Sequence, residues 1–260
     1  MNLDKLLQPE QYPLYLDVAS ININVRPYTH GDTKAFLELV DDYKRKKKGG
    51  MQKLFIAQRN LLDNAILPTA TGEKPIQAKD LHRADYVKLL VFLKNITHGE
   101  QTPIQFRCSN PKCENEAKQR HIETFPFDFQ DCVLQNKERN EIVEYTMQDN
   151  TNVKIKMKPY NFSILIDNAD IFEAEVPSIE ILSKFHASFI NEIKINDEEV
   201  EDMSTATKIK ILTNMVPKYK KSIVEYIDKE PMWKWNRKWE CPVCDAKNEA
   251  TLESISDFFL

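Results

Sequence analysis

Four of the five cysteines in this chain fall into two close pairs, Cys108-Ser-Asn-Pro-Lys-Cys113 and Cys241-Pro-Val-Cys244, one at the middle of the sequence and one near its end. Two thiolates a few residues apart on a turn can fill two corners of a tetrahedron, and two such pairs fill all four. Each pair follows an aromatic-containing strand, through Phe106 and Trp239 respectively, and precedes a polar turn with Asn or Glu. The spacing therefore predicts one structural zinc ion held by Cys108, Cys113, Cys241 and Cys244, tying the middle of the chain to its C-terminus. Two other readings stand beside it: unrelated pairs of buried thiols, and redox-active or disulfide pairs. The latter lacks the βαβ surroundings of a thioredoxin-like C-x2-C, and a chain read as non-secreted keeps its thiols reduced. His121 is an alternative ligand in place of one cysteine. Cys132, beside Val133 and Leu134, is expected to be a buried, inert thiol.

Four thiolates leave no open coordination position, which a catalytic zinc requires. The five histidines are scattered and form no H-E-x-x-H or H-x-E array. The expected chemistry is binding, with no enzymatic turnover and no small-molecule substrate. A net charge of −4 and a pI near 5.8 give no overall attraction to nucleic acid or to an anionic membrane. No apolar run approaches the ~18 residues of a membrane span, and Met1 to Glu10 lack the apolar stretch of a secretory signal, so the chain reads as cytoplasmic where it is made. Some local features remain. The basic run Lys44 to Lys48 suits either phosphate or the end of a solvated helix, whose dipole it complements. Trp233, Trp235 and Trp239, interleaved with Lys234, Arg237 and Lys238, either stack on bases or pack over the metal knuckle. Met232-Trp233 and Phe258-Phe259-Leu260 belong either to the core or to a contact with a protein partner.

Five glycines in 260 residues argue against a Gly-rich nucleotide cradle and against a many-turned β sandwich, so helix is expected to predominate. Period-two alternation marks a strand at 21–28, a hairpin running from Thr102 through the first cysteine pair to Phe129, and a second hairpin over 142–147 and 153–157. A helix is expected next, capped by Thr29 or Asp32 and running to the basic run Lys44 to Lys48 and the Gly49-Gly50 break, and another at about 51–66. A further helix, capped by Asp80, carries Tyr86, Val87, Leu89, Leu90, Phe92 and Leu93 and should be packed on several sides. Later helices are expected near 160–173, 177–188, 204–215 with Ser204 or Thr205 as cap, and 218–228, before a second knuckle, a short strand and a last helical turn. The expected fold is α+β, mainly helical, with small antiparallel β elements and a split zinc ribbon formed by two distant cysteine knuckles. Three regions follow: 1–101, a strand plus helical domain; 102–158, β-rich with the first knuckle; and 159–260, helical and ending in the second knuckle.

The order of these motifs resembles the baseplate hub subunit and hub assembly proteins of T-even-like contractile-tailed bacteriophages. The segments that carry the resemblance are ININVRPYTHGDTKAFLEL, DLHRADYVKLLVFLKNITHGEQTPIQFRCSNPKC and the terminal WECPVCDAKNEATLESISDFFL. The strand exit Val25-Arg26-Pro27, the apolar helix Asp85 to Phe92 leading through Gly99 and Glu100 into the first knuckle, and the closing Cys-x2-Cys with Phe258-Phe259 are its sharpest parts. The resemblance implies a virion-related protein that helps to build the baseplate hub, as a subunit or a tail assembly chaperone. It implies other hub or tail proteins as partners, and a place in the host cytoplasm during assembly or in the tail itself. The alternative class is a zinc-ribbon nucleic-acid-binding accessory protein.

Overall fold

The computed structural model describes residues 10–46, 50–99, 101–114, 119–136 and 140–252, with side chains left out at 35, 39 and 42–46. The chain opens on an antiparallel pair, β1 (Tyr12–Leu16) and β2 (Ile21–Val25), in which Leu14, Leu16, Ile23 and Val25 alternate onto the buried face. Two helices follow, α1 (His30–Lys46) and α2 (Met51–Ala65). At the start of α1, Asp32 Oδ2 accepts from the Thr29 N–H at 2.9 Å, while Thr29 Oγ1 accepts from the Asp32 N–H at 3.2 Å, so both expected caps are used, reciprocally. The N-cap residue of α2 is Gly50, which has no side chain to cap it. Glu173, far along the chain, places a carboxylate oxygen 2.8 Å from the Met51 N–H, where the helix dipole favours a negative charge.

The helix α3 (Arg83–His98) lies at the centre. Ala84, Asp85, Tyr86, Val87, Leu89, Leu90, Val91 and Leu93 are all buried, so it is packed on several sides as its composition predicts. Its cap is not Asp80, which sits in a short 3-10 turn before it, but His82, whose Nδ1 accepts from the Ala84 N–H at 3.1 Å. The same ring lies 2.6 Å from Glu230 Oε2, and Glu230 Oε1 accepts from the Tyr160 N–H at 3.1 Å, a buried junction of three distant segments. Gly99 ends α3 at φ 69°, where a β-carbon would be strained.

The remaining strands form three further antiparallel sheets. β3 (Pro103–Arg107) pairs with β4 (Ile122–Pro126), and β5 (Cys132–Gln135) with β10 (Met232–Glu240) and β11 (Lys247–Leu252) in the order β11-β10-β5. A four-stranded sheet runs β6 (Ile142–Thr146), β7 (Asn152–Met157), β8 (Ile190–Ile195), β9 (Glu198–Glu199). The short helix α4 (Phe162–Asp167) and α5 (Ile179–Ser188) lie between β7 and β8, while α6 (Thr205–Asn214) and α7 (Pro217–Asp228) precede β10. Ser204 caps α6 and Pro217 occupies the first turn of α7, where its missing N–H costs nothing. The large core is shared by β1, β2, α2, α3, β6 to β8 and α4 to α7. A smaller one joins Val91 of α3 to Phe127, Trp235, Ala250 and Leu252.

Two expectations about the fold as a whole need correction. The chain is not mainly helical: 40% of it is helix and 27% strand, in four antiparallel sheets. The glycine count misled because the tight turns are made by other residues. Ser20, Asn136, Asn150, Asn196, Asp197 and Asp245 take φ between 51° and 68°, each in a connection between consecutive strands. Short polar side chains that bond locally make this left-handed region accessible. Asn196 and Asp197 together form the two-residue turn that joins β8 to β9. The second correction concerns the cysteines. The knuckles are distant only along the sequence; in space they form one compact cluster rather than a split ribbon of separated halves.

Candidate metal centre

Each cysteine pair sits at the tip of an antiparallel hairpin. β3 runs into Cys108, the chain turns through Cys113, and the Cys108 N–H bonds the His121 carbonyl at 2.8 Å just before β4 begins. β10 runs into Cys241, whose N–H bonds the Ala246 carbonyl at 2.9 Å, while the Asp245 N–H returns to the Cys241 carbonyl at 2.9 Å. Two short turns thus aim four sulfurs at one point. Cys108, Cys113 and Cys241 are fully buried and Cys244 is half-buried.

The four Sγ atoms lie within 4.8 Å of one another. Cys108 to Cys244 and Cys113 to Cys241 are both 3.7 Å. A disulfide would bring two sulfurs to about 2.05 Å. Four sulfurs each ~2.3 Å from a tetrahedral ion stand about 3.8 Å apart. The spacing is therefore compatible with a bound metal ion.

Local dipoles favour the charged sulfurs. The Ala246 N–H directed at Cys244 brings its thiol down to about 7. Burial raises the Cys108 thiol against the opposing pull of the Asn110 N–H. The His121 N–H pulls Cys113 down, but burial and the three neighbouring sulfurs outweigh it and hold that thiol at about 12. Neighbouring thiolates repel, and a cation among them removes the conflict.

Asn248 locks the two hairpins together. Its Oδ1 accepts from the Ser109 N–H at 2.7 Å and from the Ser109 hydroxyl at 2.8 Å, while its Nδ2 donates to the Ala246 carbonyl at 2.8 Å. One buried amide therefore bridges the turn after Cys108 and the turn after Cys244. Sequence reading missed it; the polar residue closely following the second pair was the available signal. Aromatic rings support the cluster from beside it. Phe106 and Trp235 stack at 5.6 Å with planes 10° apart, and Trp239 packs between Phe125 and His121, each 6.2 Å away.

The other candidates fall elsewhere. His121 turns away to Glu123, with Nε2 2.9 Å from Oε2. Cys132 is half-buried rather than buried, and burial raises its thiol to about 12. Trp233 is buried and donates Nε1–H to the Ala84 carbonyl at 2.9 Å, and Trp235 is buried in the small core, so neither offers a face for bases. The backbone of α1 reaches Lys46. The side chains of Lys44, Arg45 and Lys46, the whole of Lys47 and Lys48, and the terminal Phe258, Phe259 and Leu260 with their expected helical turn all lie outside the described residues. Among the described residues no helix is long and apolar enough to cross a membrane.

A family model described as T4 bacteriophage base plate protein matches residues 10–260, which takes in both hairpins, both cysteine pairs and the whole of the large core. The chain belongs to that family. It is therefore a structural protein of the phage baseplate, a tail structure whose members are built to contact other tail proteins. No curated protein and no solved structure matches the chain.

Proposed function

We propose that this baseplate protein is a subunit or assembly chaperone of the baseplate hub, that it acts by binding, and that one structural zinc ion on Cys108, Cys113, Cys241 and Cys244 fixes the shape of its binding surface. The observation that carries the reading is the four-sulfur cluster at the joined tips of two hairpins, in a chain of the baseplate family. Four thiolates in tetrahedral spacing select zinc or iron over the harder divalent ions, and they leave no position for substrate or water. The ion acts as a staple. Because an unfolded chain offers no preformed site, its binding energy is folding energy for the two hairpins. Assembly would take place in the host cytoplasm, before the tail is complete.

The test has two parts. Purified protein is expected to hold one zinc per chain, and its cobalt-substituted form to give the spectrum of four thiolate ligands. Metal content well under one per chain ends the staple reading. Phage with the gene disrupted should accumulate tails arrested at the hub, and restored tails should follow from the wild-type gene but not from C241S/C244S. Normal hubs in the disrupted phage would remove the hub assignment.

A further inference from the structure

Among the described residues, the segment 167–182 carries more exposed large apolar side chains than any other stretch of its length. It leaves the large core at the buried Asn168 and rejoins it at the buried Ser183, and the ion pair between Lys184 and Asp170, at 3.1 Å, fastens its two ends. Between them Phe172 is 43% exposed, Val176 85%, Ile179 80% and Leu182 36%. Single exposed apolar residues are ordinary; four large ones on one closed excursion of the chain are the mark of a contact surface. Ile179 and Leu182 are three apart on α5 and so neighbour each other on that helix. Phe172 is held edge-on against Phe55 at 5.6 Å, so the patch is anchored to α2.

Its charge is one-sided. Asp167, Asp170, Glu173, Glu175 and Glu180 fall in this stretch, and no Lys or Arg does. Asp170 is engaged by Lys184 and Glu173 by the α2 N-terminus, whereas Asp167, Glu175 and Glu180 are exposed. We propose that this acidic-rimmed apolar patch docks an amphipathic segment of another tail protein, one that presents aliphatic or aromatic side chains flanked by lysine or arginine. The inference rests on the baseplate reading for the class of partner and adds the surface and its chemistry. Other occupants are disfavoured by the same charges. A second copy joined through a twofold axis would set carboxylates against carboxylates, and an anionic lipid surface or nucleic acid would meet the same repulsion.

The full chain is to be co-expressed with each of the other tail proteins of its phage in turn, and the affinity of any pair measured by titration calorimetry at two salt concentrations. One tail protein is expected to bind. V176E/I179E should weaken that binding at least ~30-fold, because apolar anchors carry most of an interface's energy. E175K/E180K should weaken it roughly tenfold and flatten its salt dependence, since rim charges act through screened electrostatics. All four positions are exposed, so the melting temperatures of both variants should stay within a few degrees of the wild type, E180K losing only a favourable charge at the start of α5; V216E, which alters an exposed valine elsewhere, should bind as the wild type does. Wild-type binding that survives V176E/I179E overturns the docking surface and leaves the baseplate reading standing. A dimer of this chain that the same variant dissolves also overturns it, with a second copy as the occupant. Failure of every tail protein to bind the wild type overturns both.

Discussion

The two cores of this protein are held by different physics. Among the described residues the large one gathers thirty buried apolar side chains from helices and strands along most of the chain, and its cohesion is non-directional and spread over many small contributions. The smaller core gathers five, one of them Val91 of α3 and the rest around Trp235, and beyond them the tips of the hairpin lobe rest on four sulfurs and one amide. Hairpins of this length are marginal in water by themselves. The difference teaches that the large core should tolerate the loss of any one contact, whereas the lobe depends on a few directional bonds concentrated at one point.

Removing the proposed metal should break this comparison open and give the largest effect. C241S/C244S deletes half of the donor set, and the lost binding energy is on the order of several kcal/mol or more, taken from the lobe alone. Hydrogen exchange is the sensitive measurement. Amides of β3, β4 and the outer half of β10 with β11 should lose protection, while those of β7 and β8 keep theirs. Uniform loss across both regions would show that the cores fold as one cooperative unit.

Leu62→Ala is the matching experiment on the other side. Leu62 is fully buried on α2 in the large core, and truncation there costs about 2–5 kcal/mol. In a chain of this size that lowers the melting temperature by roughly 5–15 °C. Metal content should stay at the wild-type level, because among the described residues the side chains packed against the cysteine cluster, Trp239 and Ala246, come from the hairpin lobe and not from α2. A fall in metal content would couple the two regions more tightly than their separate packing suggests.

The same contrast explains what the sequence disclosed. The cysteine cluster was legible because ligand spacing is local chemistry: a short turn between thiols constrains geometry whatever surrounds it. The amphipathic helices α2, α3, α6 and α7, and the hairpins β3-β4 and β6-β7, were legible from periodicity and caps. The sheet content was not. β1, β5 and the nine-residue β10 carry Tyr, Cys, Trp and Lys in place of a Val and Ile run, and their turns use Asn, Asp and Ser at positive φ where a count of glycines finds nothing. The His82 cap was hidden because imidazole seldom caps a helix, and it does so here only because Glu230, brought in from the far end of the chain, holds the ring. Asn248 was hidden for the same reason, since its value lies in reaching Ser109 across the fold.

Asn248→Ala sharpens the account of the lobe by leaving all four cysteines in place. The Ser109 N–H and hydroxyl lose their acceptor, which costs about 1–3 kcal/mol for a buried donor. Metal affinity should fall on the order of 10- to 100-fold, as for other groups that orient ligands without touching the ion. Competition with a chromophoric chelator measures this. An unchanged affinity would make the amide a packing element only.

The smallest expected effect lies in the large core and turns on pH. His186 on α5 sits with its Nδ1 buried and unpartnered among the described residues, and burial, reinforced by Lys220, lowers its pKa below the ordinary 6.5 against a weaker opposing pull from Asp228. In the unfolded chain the ring takes up its proton near 6.5, whereas in the folded protein it does so only at lower pH. Its contribution to stability is therefore full above 6.5 and is lost as pH falls from there towards the folded-state value, at under about 1.4 kcal/mol per pH unit. Melting temperature measured between pH 7.5 and 5.5 should decline in the wild type and decline less steeply in His186→Gln. Acid also weakens thiolate ligation, but that sensitivity belongs to the lobe and is common to both proteins, so the difference between the two slopes isolates the large core. Parallel slopes would mean that the imidazole is hydrated in solution and contributes nothing to the contrast.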